Sequence, residues 1–123
     1  MEKKNTVSDA ELEILEVLWA AGKAINASEI RAALDKKKGW ERTTVLTLIR
    51  RLLDKEIIIQ EKRDVYYYYP VLGRNEYIQR ETRSFVDKFF SGSSRNLAAA
   101  LVSSDQLTKE EIEELRDFFH QNI

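Results

Sequence analysis

Thr43, Thr44, Thr47, Arg50 and Arg51 are crowded into the stretch Trp40-Glu-Arg-Thr-Thr-Val-Leu-Thr-Leu-Ile-Arg-Arg-Leu52. Hydroxyls and guanidinium groups in that density suit one kind of chemistry. Arginine binds guanine or phosphate, and threonine reaches bases, phosphate or the thymine methyl. On a helical period Val45, Leu48, Ile49 and Leu52 fall at i, i+3, i+4 and i+7 and form one apolar stripe. At about 100° per residue, Thr43, Thr47 and Arg50 point away from that stripe, with Thr44 and Arg51 to one side and Leu46 to the other. A face chosen for helix propensity alone would carry Glu and Lys. Three β-branched hydroxyls and two arginines, with Asp54 as the acid at the far end, suggest a contact surface. A core helix with an arbitrary outer face is the alternative that this stretch leaves open.

The elements that would position this face follow from the flanking sequence. Ser8-Asp-Ala-Glu11 has the form of a capping box and starts a first helix. Its apolar face is Leu12, Ile14, Leu15, Val17, Leu18 and Trp19, and Gly22 ends it. Trp19 at this spacing is read as core packing rather than as a ligand-stacking residue. Ala24-Ile25-Asn26 has the form of a minimal strand. Asn26-Ala-Ser-Glu29 repeats the capping arrangement and opens a second helix, with Ile30, Ala33 and Leu34 facing inward, which dissolves in Lys36-Lys-Lys-Gly39. That triple lysine is either a solvated helix end or a phosphate contact. The third helix runs from about Glu41 to Lys55.

Beyond it the period changes. Ile57-Ile-Ile-Gln-Glu-Lys62 is β-branched and extended, Arg63-Asp64 reads as a two-residue turn, and Val65-Tyr-Tyr-Tyr-Tyr69 forms a second strand that Pro70 stops. Val65, Tyr67 and Tyr69 share one face of that strand and Tyr66 and Tyr68 the other. Three short helices followed by a hairpin with Lys62 and Arg63 at its tip is the order of a winged helix-turn-helix.

After Gly73 the chain returns to helix. Tyr77, Ile78, Phe85, Phe89 and Phe90 mark one helix, Leu97, Leu101 and Val102 a short second one, and Thr108-Lys-Glu-Glu111 caps a third that carries Ile112, Leu115, Phe118 and Phe119 on one side. Three such helices cannot easily bury their phenylalanines among themselves. Burial of one Phe or Leu is worth about 1.5–3 kcal/mol, so the expected resolution is a homodimer formed through this tail. A monomer with the tail folded back is the alternative.

Bulk composition narrows the function classes. With 123 residues the chain is one domain with an appendage, and 43% hydrophobic residues allow a real core. The absence of Cys excludes a disulfide framework and a cysteine nucleophile. His120 stands three residues from the C-terminus, and the four glycines are scattered singly. Neither a His-centred catalytic or metal site nor a phosphate loop can therefore be assembled. The chain is read as a non-enzyme that needs no cofactor or metal. No apolar run approaches the roughly 18 residues of a membrane span, and Met-Glu-Lys-Lys-Asn5 leads to no signal segment. A cytoplasmic location without a lipid-membrane partner is expected. The net charge of −1 hides an asymmetry. From Lys36 to Arg63 nine bases face four acids, a local +5, whereas from Gly73 to the end seven bases face nine acids, a local −2. A basic middle and an acidic tail imply different partners.

Several of these pieces occur together in a known family. Leu12-Glu-Ile-Leu-Glu-Val-Leu-Trp19, Ala27-Ser-Glu-Ile30, Trp40 with Thr44-Val45, Thr47-Leu48 and Arg51-Leu52, Lys55-Glu-Ile-Ile58, the Tyr-rich strand ending at Tyr69-Pro70, and Leu107-Thr-Lys-Glu-Glu-Ile-Glu-Glu-Leu-Arg116 make the chain resemble the BlaI/MecI family of penicillinase repressors over nearly its full length. The resemblance implies a homodimeric winged-helix repressor of antibiotic-resistance genes that binds inverted repeats and dimerises through its tail. It also implies a membrane sensor metalloprotease as a partner, whose β-lactam signal leads to cleavage in that tail. By position the family's scissile bond falls between Ala100 and Leu101, where the usual Asn-Phe pair is absent. The family's copper-responsive, CopY-like branch carries Cys-x-Cys pairs, which this chain lacks. Leu46 stands where the penicillinase repressors place a basic residue.

The resulting expectation is a mainly α protein with a small β-hairpin. A winged-helix DNA-binding domain spans residues 1–72 and a helical dimerisation tail residues 73–123. Thr43, Thr44, Leu46 and Thr47 lie nearest the bases of a double-stranded operator, and Lys38, Arg42, Arg50, Arg51, Lys62 and Arg63 hold phosphates. Phe85, Phe89, Leu97, Leu101, Val102, Ile112, Leu115, Phe118 and Phe119 form the dimer contact. A winged helix that binds only other proteins is the rival, and it would need neither the basic hairpin tip nor this outer face on the third helix.

Overall fold

The structure, a computed structural model, describes residues 6–122; the Met1–Asn5 stretch read above for a targeting signal lies outside them. The elements are α1 (Asp9–Ala21), β1 (Ile25–Asn26), α2 (Ala27–Lys38), α3 (Arg42–Asp54), β2 (Ile58–Lys62), β3 (Tyr66–Pro70), α4 (Arg74–Phe90), α5 (Ser94–Ser103) and α6 (Lys109–Asn122). The chain divides into two compact units, one ending at Tyr77 and the other beginning at Ile78, so the division falls inside α4. Among the described residues no helix is long and apolar enough to cross a membrane.

In the first unit the helix starts are local events. Ser8 Oγ accepts from the Glu11 N–H at 3.1 Å while Glu11 Oε1 accepts from the Ser8 N–H, and Asn26 and Glu29 repeat the exchange at 2.9 and 3.0 Å. Both α1 and α2 end on a glycine in the left-handed region, Gly22 at φ 67° and Gly39 at φ 62°. The triple lysine does not unwind α2, as the sequence suggested. Lys36, Lys37 and Lys38 form its last turn, where ammonium groups complement the carbonyl end of the helix dipole.

Three strands pair in the order β1-β3-β2, all antiparallel. The hairpin connection is one residue longer than expected. Lys62 pairs with Tyr66, and Val65 is left out of the strand with its carbonyl accepting from Arg63 N–H at 2.9 Å. This register settles which face turns inward. Ile58 and Tyr68 are buried, whereas Ile59, Tyr66 and Tyr69 are exposed.

The core is formed by Ile14, Leu15 and Leu18 of α1, Ile30 and Leu34 of α2, the α3 stripe Val45, Leu48, Ile49 and Leu52, and Ile25, Ile58 and Tyr68 of the sheet. Ala33 is exposed rather than inward, because Ile30 and Leu34 already occupy the inner line of α2. Glu11 is the one buried side chain that carries a charge at neutral pH among the described residues, at 2% exposure. Its Oε1 accepts from Lys55 Nζ at 2.5 Å, and the same ammonium donates to the Thr6 carbonyl at 2.6 Å. Burial alone would push the Glu11 carboxyl up. The Lys55 hydrogen bond, the Ser8 amide and the positive charges of Lys55 and Arg51 outweigh it and hold the carboxyl below its usual range.

Trp19 packs against the core, as its spacing implied, and does more. It is half-buried, its indole N–H donates to the Leu72 carbonyl at 2.9 Å, and its ring lies 5.4 Å from that of Tyr77. Beside it, Arg74 makes two hydrogen bonds to the Glu16 carboxylate at 2.9 and 3.3 Å. The start of α4 is thereby fixed to α1, and Tyr77 packs with the first unit.

The second unit is helical and poorly buried. Val86 is the only residue of α4 that is buried, and α5 and α6 have none. Thr108 and Glu111 cap α6 reciprocally at 2.9 and 3.0 Å.

Candidate nucleic-acid interface

The outward face of α3 is laid out as its period requires. Arg42, Thr43, Thr44, Thr47, Arg50 and Arg51 are exposed and Leu46 is half-buried. Thr43, Thr44, Thr47, Leu48 and Arg51 line a shallow depression of about 250 Å³. The two arginines diverge. Arg50 acts on the phenol of Tyr68, which burial and the neighbouring Tyr66 push up and Arg50 draws down. Arg51 lies on the other side, close enough to help hold Glu11 ionised. Among the described residues neither arginine forms an ion pair with a carboxylate. Between them, the Thr47 hydroxyl donates to the Thr43 carbonyl at 2.9 Å.

The turn that aims α3 depends on a residue with no signal in the sequence. Arg31 of α2 donates through Nε to the Trp40 carbonyl at 3.2 Å, and its guanidinium lies 3.9 Å from the Glu41 carboxylate. Trp40 itself is half-buried against the core. Glu41 occupies the N-cap position of α3 without a side-chain hydrogen bond, so the amides at that helix start carry no carboxylate cap.

Other expected cations are engaged within the chain. Glu13 of α1 lies 3.3 Å from Lys37 Nζ and 3.6 Å from Lys38 Nζ, and its carboxyl is held low first by the Lys37 hydrogen bond. Of the triple lysine, Lys36 alone has no ion pair among the described residues. At the hairpin tip Arg63 folds back on its own strand pair, with Nε 3.2 Å from Glu61 Oε2 and its guanidinium 4.5 Å from the centre of the Tyr67 ring. Lys62 lies 4.7 Å from the centre of the Tyr66 ring. Sequence reasoning missed Glu13, Arg31 and Glu61, since a single carboxylate or arginine on a charged helix or strand has no pattern to mark it.

The apolar residues of the second unit remain at the surface. Phe85, Phe89, Leu101, Val102, Ile112, Leu115, Phe118 and Phe119 are all exposed, with Phe89 at 62%, and Leu97 is half-buried. The Phe85 and Phe89 rings meet at a tilt of 48°, with 4.9 Å between their centres. Ala100 and Leu101 lie inside α5, where the Ala100 carbonyl accepts from Ser104 N–H at 3.0 Å. No group of His, Cys, Asp and Glu able to hold a metal ion occurs among the described residues.

The profile of a family described as "Penicillinase repressor" matches residues 7–121. The chain belongs to the penicillinase repressor family. Within it, the chain is 32% identical over 123 residues to the penicillinase repressor of Bacillus licheniformis, covering 99% of this chain and 95% of that one. It is 28% identical over 120 residues to the methicillin resistance regulatory protein MecI of Staphylococcus aureus, covering 97% of each chain. Two solved structures resemble its fold. The solution structure of the DNA binding domain of the repressor BlaI has a TM-score of 0.53 and 33% identity, covering 63% of this chain and 94% of that domain. The Bacillus licheniformis BlaI monomer in complex with the blaP half-operator has a TM-score of 0.51 and 33% identity, covering 58% of this chain and 88% of that one. The winged-helix architecture expected from the sequence is therefore that of this repressor family.

Proposed function

We propose that the chain is a DNA-binding transcriptional repressor that acts as a homodimer on a two-fold symmetric operator. The observation that carries this reading is the outer face of α3. Three threonines and two arginines stand exposed there, with no ion pair at either arginine among the described residues, on the same architecture as a relative solved with its half-operator. Each protomer lays α3 in a major groove, with Thr43, Thr44, Leu46 and Thr47 nearest the bases. Arg42, Arg50 and Arg51 flank them and hold phosphates. Lys62 joins from the wing tip, and Lys38 and Arg63 join once phosphate oxygens displace Glu13 and Glu61 from them. Two copies join through the apolar faces of α4, α5 and α6 in residues 73–123, carrying a winged-helix domain of residues 1–72 on each side. Occupancy of the operator then depends on dimer stability, and repression follows from occluding a promoter of the antibiotic-resistance type.

Release by a membrane sensor protease is the regulation that the family resemblance suggests. A cut at Ala100–Leu101 would fall within hydrogen-bonded helix, so that part of α5 has to unwind before a protease can bind it in extended form.

Fluorescence anisotropy of a labelled promoter duplex, titrated with the full chain at several salt concentrations, tests the DNA-binding reading. With about 3–5 phosphates neutralised per protomer, log affinity should fall with log salt at a slope of roughly −5 to −9. A flat response would overturn it.

A further inference from the structure

The hydrogen bond inside the α3 face decides what the middle of that face can read. Thr47 Oγ1 donates its proton to the Thr43 carbonyl at 2.9 Å. That hydroxyl is therefore no longer a donor toward guanine N7 and O6, adenine N7 or thymine O4. What Thr47 still offers outward is a methyl group and an oxygen lone pair. Its neighbour Leu46 offers hydrocarbon alone. Thr47 is exposed and Leu46 is half-buried beside it, with Arg50 one turn further along the same outward face. The first two turns of the face therefore offer hydrocarbon from Leu46 and Thr47, and Arg50 and Arg51 follow one turn later.

In the major groove the base feature that matches the hydrocarbon of both side chains is the C5 methyl of thymine. A leucine set against the amino or carbonyl edge of any other base would strip water from a polar group without replacing its hydrogen bond. Resting on the DNA-binding reading above, we propose that Leu46 and Thr47 select thymine by its methyl group, so that each operator half-site carries thymines beneath the middle of α3. Arginine contacts to phosphate supply attraction that is largely indifferent to sequence, and the methyl groups of Leu46 and Thr47 supply discrimination.

The experiment uses the full-length protein and a randomised duplex pool. After selection, single thymines of the enriched half-site are replaced by deoxyuridine, which deletes the methyl and leaves pairing intact. Loss of one buried methyl-sized contact corresponds to about a fourfold loss of affinity. Two neighbouring positions should show it. Thr47→Ser, which keeps the hydroxyl and removes the methyl, should erase the thymine-over-deoxyuridine preference at one of them, while Thr47→Val retains it. Leu46→Ala should erase the preference at the other. Circular dichroism checks that the variants remain folded. A selected sequence in which every deoxyuridine duplex binds like its thymine parent would overturn the methyl inference and leave DNA binding standing. A pool that never enriches would overturn DNA binding, and this inference with it.

Discussion

The Glu13 carboxylate of α1 sits between two ammonium groups of α2, 3.3 Å from Lys37 and 3.6 Å from Lys38. The positive cluster that precedes α3 in sequence is thus partly neutralised from within the fold. Glu13 has about a quarter of its side chain accessible, so the pair is an interfacial clasp rather than a buried ion pair.

Removal of that clasp should strengthen DNA binding. Glu13→Gln frees both lysines for phosphate and deletes one repulsive charge. Low-salt affinity for any duplex should rise about three- to tenfold, and the log–log salt slope should steepen by about one unit per lysine recruited. Anisotropy titrations of the variant and the parent chain provide the comparison, and unchanged slopes would show that Lys37 and Lys38 lie away from the DNA.

The Lys55–Glu11 pair should dominate acid stability. Lys55→Met leaves Glu11 buried with only the Ser8 amide as a hydrogen-bond donor. Losing one partner of a buried pair costs about 3–5 kcal/mol, reduced here to about 2–3 because Lys55 keeps some solvent contact. The Glu11 carboxyl is held below its ordinary value of 4.5, so the ionised form favours the folded state. That contribution is complete above pH 4.5 and is lost as pH falls from there through the folded value. Urea denaturation at neutral and mildly acidic pH should show the parent losing stability on acidification, and Lys55→Met losing less. Parallel losses would refute the assignment.

Trp19 should matter through its nitrogen as well as its ring. Trp19→Phe keeps most of the contact with Tyr77 but leaves the Leu72 carbonyl without its donor, at a cost of about 1 kcal/mol. Arg74→Ala removes a solvent-exposed pair with Glu16 and should cost about 0.5 kcal/mol or less. Thermal unfolding followed by tryptophan fluorescence for Arg74→Ala, and by circular dichroism for both variants, ranks the two. The reverse order would mean that the ion pair, rather than the indole, holds the start of α4.

Truncation addresses the tail. A chain ending at Asn96 lacks α6 and nearly all of α5, including Leu101, Val102, Phe118 and Phe119. It should sediment as a folded monomer with operator affinity lowered by at least a hundredfold, as expected when two linked half-site contacts become one. A truncated chain that still sediments as a dimer would contradict the assignment of these faces.

Legibility in the sequence tracked the range of the interactions. The helix starts at Ser8, Asn26 and Thr108 could be read directly, because a capping box closes within four residues. The α3 stripe was equally plain, since the spacing of Val45, Leu48, Ile49 and Leu52 is itself the periodicity of the element. The hairpin was legible but its turn was not. Val65 has a strand-forming side chain, and only the pairing of Lys62 with Tyr66 excludes it from the ladder. Contacts between distant residues were invisible. Glu11 and Lys55 are 44 positions apart, and each alone looks like an ordinary surface charge. The hydrogen bond from Thr47 to Thr43 was hidden for a different reason, because a threonine rotamer has no sequence signature.

Asn26 caps α2 with its side chain while its backbone pairs with Tyr67 of the hairpin. One residue therefore ties the wing to the helix that precedes α3, and the two cannot shift independently. If α3 and the wing tip rest on the same duplex, their span acts as a fixed calliper. Such a calliper favours duplexes whose groove width already matches it and penalises stiff ones that must be deformed. Bases that no side chain touches would then influence operator choice, and flanking sequence, not only the half-site, would set the ranking of operators.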